Sequence, residues 1–204
     1  MKKHIFNKAF AFGVSHKSIF AVAVLLTFPA VAMAGRPSLG IGYSNVGLTG
    51  HSGRPGVTIT AGNLYSNSVV ASGSATAARG FYSMNASIGK LVPAGAVSFV
   101  PYVGMDFLNV NYSQPQLPSA TDFYGLAGVD MNVPIGTSVM LQIGGGYGHT
   151  LMTYGGNGGS VYQGKAEIGF EVAPNVTANI NVRYVHIPGQ SMTDEGAGLS
   201  YHFS

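Results

Sequence analysis

The chain closes on Gly196-Ala197-Gly198-Leu199-Ser200-Tyr201-His202-Phe203-Ser204, and these nine residues alternate without a break. Ala197, Leu199, Tyr201 and Phe203 share one face, while Gly196, Gly198, Ser200 and His202 share the other. A side-chain period of two belongs to a β-strand. Traced backwards in the same phase, alternating segments separated by turn residues follow one another from Pro37 onward. Ten are read, over about 38–48, 56–65, 69–77, 81–91, 97–112, 123–133, 139–149, 161–172, 176–187 and the closing stretch. The eighth is the cleanest, with Tyr162, Ala166, Ile168, Phe170 and Val172 against Gln163, Lys165, Glu167 and Glu171.

Residues 1–34 read as a secretory leader. Lys2, Lys3, Lys8 and Lys17 form a basic region, an uncharged apolar run covers 19–28, and Ala32-Met33-Ala34 is a small-x-small cleavage site before Gly35. The apolar run is shorter than the roughly 20 residues of a spanning helix, and Pro29 interrupts it. Residues 35–204 are expected to form a single domain. Without the leader the basic residues are Arg36, Arg54, Arg79, Lys90, Lys165 and Arg183, against seven acids, so the mature chain is near neutral. That argues against nucleic acid as a partner.

Charged residues make up 8% of the chain, against roughly 25% in soluble domains. Cysteine is absent, while glycine numbers 30 and proline 10. A soluble sandwich would place Val, Leu, Ile and Phe inward and expose its charged face. Here the charges of strands six to nine share a face with Gly, Ser, Thr, Asn and Gln, and the opposite face carries none across its middle. That face suits hydrocarbon. The fold expected is all-β, an antiparallel up-and-down transmembrane barrel. The count is ten strands, or eight if the second and third segments are not separate spans.

The connections over 65–68, 92–96, 134–138 and 173–175 read as tight, and those over 49–55, 113–121, 150–159 and 188–194 as longer loops. Residues 78–80 make a tight turn where the rule of short periplasmic turns and longer external loops wants a loop. Both termini are then expected at the periplasmic end. The glycine run 144–146 lies within a strand, where it relieves crowding rather than cradling phosphate.

Pro101-Tyr102-Val103-Gly104-Met105-Asp106, Gly125-Leu126-Ala127-Gly128-Val129-Asp130, Val182-Arg183-Tyr184-Val185 and the closing strand together resemble the small outer-membrane β-barrel proteins of Gram-negative bacteria, the OmpA-barrel and OmpX-like group. The YfaZ-like outer-membrane proteins are similar on pattern alone. The resemblance implies location in the outer membrane as a monomer, among outer-membrane lipid and lipopolysaccharide. It also implies that Leu199, Tyr201 and Phe203 are read by the barrel-assembly machinery, although Ser204 follows the expected terminal aromatic.

The lumen face carries the candidate site, an ionic network of Asp106, Asp130, Lys165, Glu167, Glu171 and Arg183. Hairpin pairing sets Lys165 beside Arg183 and Glu167 beside Asn181, puts Asp130 near Leu141 and Gln142, and carries Asp106 to the level of Gly128. Buried charges need partners, so such a network fills a small barrel. Strands one to four turn mainly Gly, Ser and Thr inward, which leaves room for water on that side.

Three functions follow in order. The first is a non-enzymatic structural or surface-interaction role. The second is a narrow, weakly cation-selective pore. The third, a lipid A acyl hydrolase, needs a Ser–His pair on the lipid-facing outer rim. His149 and His186 face outward there, but the next residues on the same faces are Leu151 and Pro188. His202 and Ser204 lie at the other end. No catalytic residue is assigned. The histidines show no metal-ligand spacing, and no cofactor is expected.

Overall fold

The computed structural model describes residues 35–49, 51–111 and 119–203, so the leader with Ala32 and Ala34, the segment 112–118 and Ser204 lie outside the described residues. The strands are β1 (Gly35–Leu48), β2 (His51–Tyr65), β3 (Val69–Ala78), β4 (Phe81–Lys90), β5 (Val92–Ala94), β6 (Val97–Val110), β7 (Ala120–Ile135), β8 (Val139–Tyr154), β9 (Ser160–Ala173), β10 (Val176–Ile187) and β11 (Gln190–His202). β5 continues β4 past Leu91 in the same register against β6. The wall therefore has ten strands. β2 and β3 are separate spans paired with each other, which removes the eight-strand alternative.

Each strand pairs antiparallel with its sequence neighbours, and β1 pairs with β11 from Ser38–His202 to Leu48–Met192. The ladder thus closes on itself and leaves no edge at membrane depth, as a spanning sheet requires. Gly35 and Phe203 lie at one end with the turns at 66–68, 95–96, 136–138 and 174–175; the opposite, loop end is where β6 ends at Val110, β7 begins at Ala120, and residues 155–159 lie. By the barrel rule the loop end is external.

Two expected loops are absent. β2 already begins at His51, and Pro188-Gly189 is a tight turn, so the stretches read as 49–55 and 188–194 are largely strand. Gly189 has φ of 85°, which suits the third position of a Pro-Gly turn. The Thr49 N–H donates to the Ser191 carbonyl at 3.0 Å, and the Ser191 N–H donates to Thr49 Oγ1 at 3.0 Å. The two turns are thereby tied together. Pro55 is held in the ladder opposite Asn45, near an irregularity at Val46/Leu48.

The faces sort inside out. Ile41 is 62% exposed, Val103 58% and Ile180 61%, while Asp106 and Asp130 are buried in the lumen. Tyr201 and Phe203 meet edge to face at 4.9 Å on the outer surface of the terminal end. Tyr82, Phe107, Tyr147, Tyr162 and Tyr184 face outward towards the loop end. Two aromatic levels bracket the apolar band, as girdles do at the two interfaces.

The lumen is not polar along its whole length. Towards the loop end Val46, Leu48, Leu108, Val110, Tyr124, Val161, Val185 and Ile187 pack into one buried cluster. On β1, β6, β9 and β10 they continue the inward phase two or four residues beyond a polar one, as Ser44 precedes Val46, Asp106 precedes Leu108 and Arg183 precedes Val185, while on β7 Tyr124 lies next to the buried Asp122. Packed side chains therefore close that end.

The face assignment has a direct test. Ile180→Arg places a charge on the lipid face near mid-depth and should lower folding stability in lipid vesicles by about 2–4 kcal/mol. Asn181→Arg, one residue on and facing the cavity, should cost far less. Urea titration of vesicle-folded protein measures both, and equal losses would contradict the assignment.

Candidate functional site: the lumen network and cavity

Arg183 leaves β10 and crosses the lumen to β6, where Nη2 donates to Asp106 Oδ1 at 2.8 Å. The same guanidinium donates to Gln163 Oε1, through Nε at 3.1 Å and Nη2 at 2.8 Å. Gln163 Nε2 in turn donates to the Tyr102 hydroxyl at 2.9 Å. Lys165 Nζ lies 5.3 Å from the centre of the Tyr102 ring and 2.7 Å from Asp130 Oδ2. One chain of contacts thus joins Asp106, Arg183, Gln163, Tyr102, Lys165 and Asp130 across four strands. Charges taken from water are tolerable only when matched this way.

Glycines make the space for it. A Cβ on Gly128 would sit 2.6 Å from the Tyr102 hydroxyl and one on Gly146 2.8 Å from the same atom. A Cβ on Gly144 would run into the Asp130 carboxylate and stand 3.1 Å from Lys165 Cε. β8 lies between β7 and β9, so Lys165 reaches Asp130 only by passing over a residue without a side chain. The glycine run of β8 therefore floors the network, a more specific role than relief of crowding.

Of the sequence candidates, Asp106, Asp130, Lys165 and Arg183 make the two ion pairs. Glu167 lines the cavity beside Gln142 and Asn181. Glu171 is exposed at the terminal end and joins neither pair. Two expected levels shift. Asp106 stands opposite Tyr124 rather than Gly128, and Asp130 opposite Gly144 rather than Leu141 or Gln142. The cause is that strands run past the bounds read from composition, which moves the centre of each hairpin.

Sequence reasoning missed the neutral links Gln163 and Tyr102, and it missed Asp194. Read as loop, Asp194 is lumen-facing on β11, opposite Arg183, and accepts a hydrogen bond from Ser44. It also missed Ser191. That hydroxyl lies 2.9 Å from His186 Nδ1 on the outer rim, because the hairpin register sets residues 186 and 191 opposite each other. Leu199, Tyr201 and Phe203 face outward at the closing seam, 46–54% exposed.

Below the apolar cluster lies a cavity of about 410 Å³. The β1–β4 wall is built of Gly42, Thr58, Thr60, Ser72, Ser74, Thr76 and Ser87, and the opposite wall carries the network, Glu167, Asn179 and Asn181. Hydroxyls pair along the first wall, Thr58 with Thr76 and Ser72 with Ser87, each at 2.8 Å. Ser38, Ser200 and His202 line the cavity at the terminal end, where the His202 ring bonds Thr177 at 3.0 Å.

Two substitutions probe the network. Arg183→Met leaves the Asp106 carboxylate buried without its cation and should cost about 3 kcal/mol or more, and adding Asp106→Asn should recover most of that in the same urea titration. Gly144→Ala should cost about 1–3 kcal/mol by displacing Asp130 or Lys165. Gly164→Ala, where a Cβ would meet nothing within 4 Å, should stay within about 0.5 kcal/mol.

No protein-family model matches the chain, and no curated protein sequence does. Solved structures do. The outer-membrane protease OmpT from Escherichia coli aligns with a TM-score of 0.54 at 7% identity, over 84% of this chain and 98% of that one. The β domain of the Bordetella autotransporter BrkA aligns at 0.51 and 10% identity, over 83% and 100%. Neisserial surface protein A aligns at 0.44 and 12% identity, over 83% and 97%. At such identities the likeness is one of fold: a closed antiparallel β-barrel, which this chain builds from ten strands.

Proposed function

We propose that this protein is a sealed, non-enzymatic outer-membrane barrel that serves a structural or surface-interaction role through its loop end. The observation that carries the reading is the apolar cluster across the loop-end lumen, in which Val46, Val110 and Val161 are each 0% exposed. A conducting lumen needs a continuous water path, and tightly packed, mainly aliphatic side chains obstruct one; Asp122, next to Tyr124 in this cluster, is itself buried. The Arg183–Asp106 contact supports the same reading, since it braces opposite walls below the cluster.

Export by the leader over 1–34, insertion with the β11 residues Leu199, Tyr201 and Phe203 as the assembly signal, and function as a monomer belong to this proposal. A narrow pore is the second reading. The cavity beneath the cluster favours it, because it already occupies the terminal half of the lumen.

Single-channel recording in planar bilayers separates the two. The native protein should show no discrete conductance steps. Leu108→Gly with Val185→Gly should open small, cation-preferring steps, because Asp106, Glu167 and Asp194 line the cavity against Lys165 and Arg183. Steady conductance by the native protein would overturn the sealed reading in favour of the pore.

A further inference from the structure

On β11 the outward face changes character partway along. Phe203, Tyr201, Leu199 and Ala197 are followed by Glu195, Thr193 and Ser191. Around this polar column the side chains are already joined. The Tyr184 hydroxyl donates to Ser191 Oγ at 3.0 Å. Ser191 Oγ lies 2.9 Å from His186 Nδ1. With Tyr184 as donor, the serine proton goes to that nitrogen and the His186 Nε2–H is left for another acceptor. The His186 ring stacks on Tyr162 at 4.5 Å with planes 19° apart.

Ser191 is the most firmly held residue of the group. Its N–H and carbonyl are both tied to Thr49, across the seam between the first and last strands. A hydrogen-bonding group fixed in advance loses little freedom on binding. On the opposite side of the barrel, the same level presents Tyr82 against Phe107, edge to face at 6.3 Å. Asn109 donates to Thr121 Oγ1 at 2.8 Å on that side as well, but no histidine stands on β4, β6 or β7.

The chemistry of the occupant follows from what the rim offers. Among the described residues no Lys or Arg points outward from β8–β11, because Lys165 and Arg183 both face the lumen; the outward charge is Glu195. A phosphate would want guanidinium or ammonium partners. Hydroxyls, an imidazole N–H, a carboxylate and exposed aromatic faces instead match a ring of sugar hydroxyls. We infer that the Tyr184–Ser191–His186 rim binds the carbohydrate headgroup of an outer-leaflet glycolipid by neutral hydrogen bonds and ring contact, not by charge. This rests on the barrel standing in the outer membrane with its loop end outward, whether its lumen is sealed or open.

The full-length barrel is reconstituted in phosphatidylglycerol nanodiscs containing lipid A, or lipid A stripped of both phosphates. Lipid carried into detergent is then counted by native mass spectrometry. Both glycolipids should be retained over phosphatidylglycerol, with retention unchanged in high salt. Ser191→Ala with Tyr184→Phe should lower retention about tenfold, two hydrogen bonds being lost. Tyr82→Leu should leave it as it was. Heat-dependent gel mobility verifies that each variant has folded, and failure of the pair to fold moves the comparison to His186→Gln alone, for which the same direction is expected. Retention that disappears on dephosphorylation or in salt would overturn the inference, as would equal retention by the folded rim variant. Release of free acyl chains would overturn it too, in favour of Ser191 acting as a nucleophile. Loss of binding with a silent conductance trace would leave the sealed barrel standing, so the two readings fail separately.

Discussion

Everything in this molecule depends on a hydrogen-bonded ladder that returns to its start. A backbone N–H or C=O facing hydrocarbon has no water to satisfy it, so each must find a partner in a neighbouring strand. The pairing of β1 with β11 removes the last open edge. Once the backbone is satisfied within the wall, side chains are released from that duty. The outer face can then be given to Ile41, Val103 and Ile180, and the inner one to whatever fits a narrow lumen. Period two follows from closure, and both chemical faces follow from period two.

Ten strands enclose a space too small to be left to chance, and it is filled by two different means. In the terminal half, one wall is lined by hydroxyls and glycines and leaves a cavity, while the other carries two ion pairs joined through Gln163 and Tyr102. The pairing answers desolvation, because a carboxylate such as Asp106 would be costly there without Arg183. Glycines on β7 and β8 supply the depth for these long side chains to lie flat. In the loop half the same inward positions turn mainly apolar and pack closely, with Tyr124 and the buried Asp122 among them.

Most of the wall was legible in the sequence because alternation is visible wherever one face is polar and the other apolar. Strand eight of the reading, with Lys165 and Glu167 set between Tyr162, Ala166 and Ile168, shows this at its clearest. Legibility fails where the contrast fails. In Tyr184-Val185-His186-Ile187 the apolar inward residues sit between amphipathic outward ones, so nothing marks Val185 as the plug of a lumen. Neutral partners are equally silent, since no pattern in the sequence ties Gln163 to Arg183. The Pro, Gly and Ser content of 188–194 reads as loop, which hides both Asp194 and the meeting of Ser191 with His186. Those contacts belong to hairpin register, which composition does not report.

The apolar cluster and the polar rim are two sides of one inversion. Along β11 the inward face runs Gly198, Gly196, Asp194 and then Met192, while the outward face runs Leu199, Ala197 and then Glu195, Thr193, Ser191. β1 turns over in the same way, from Ser44 inside and Tyr43 outside to Val46 inside and Asn45 outside. β6 does so between Asp106 with Met105 and Leu108 with Asn109. Polar inside and apolar outside suits a wall standing in lipid; apolar inside and polar outside suits a wall standing in water. Burying aliphatic side chains in the lumen is driven chiefly by removal from water, and that drive is available where the surroundings are aqueous. The level at which the faces exchange therefore marks where the barrel leaves hydrocarbon, and the plug is the small hydrophobic core of the part that projects beyond it.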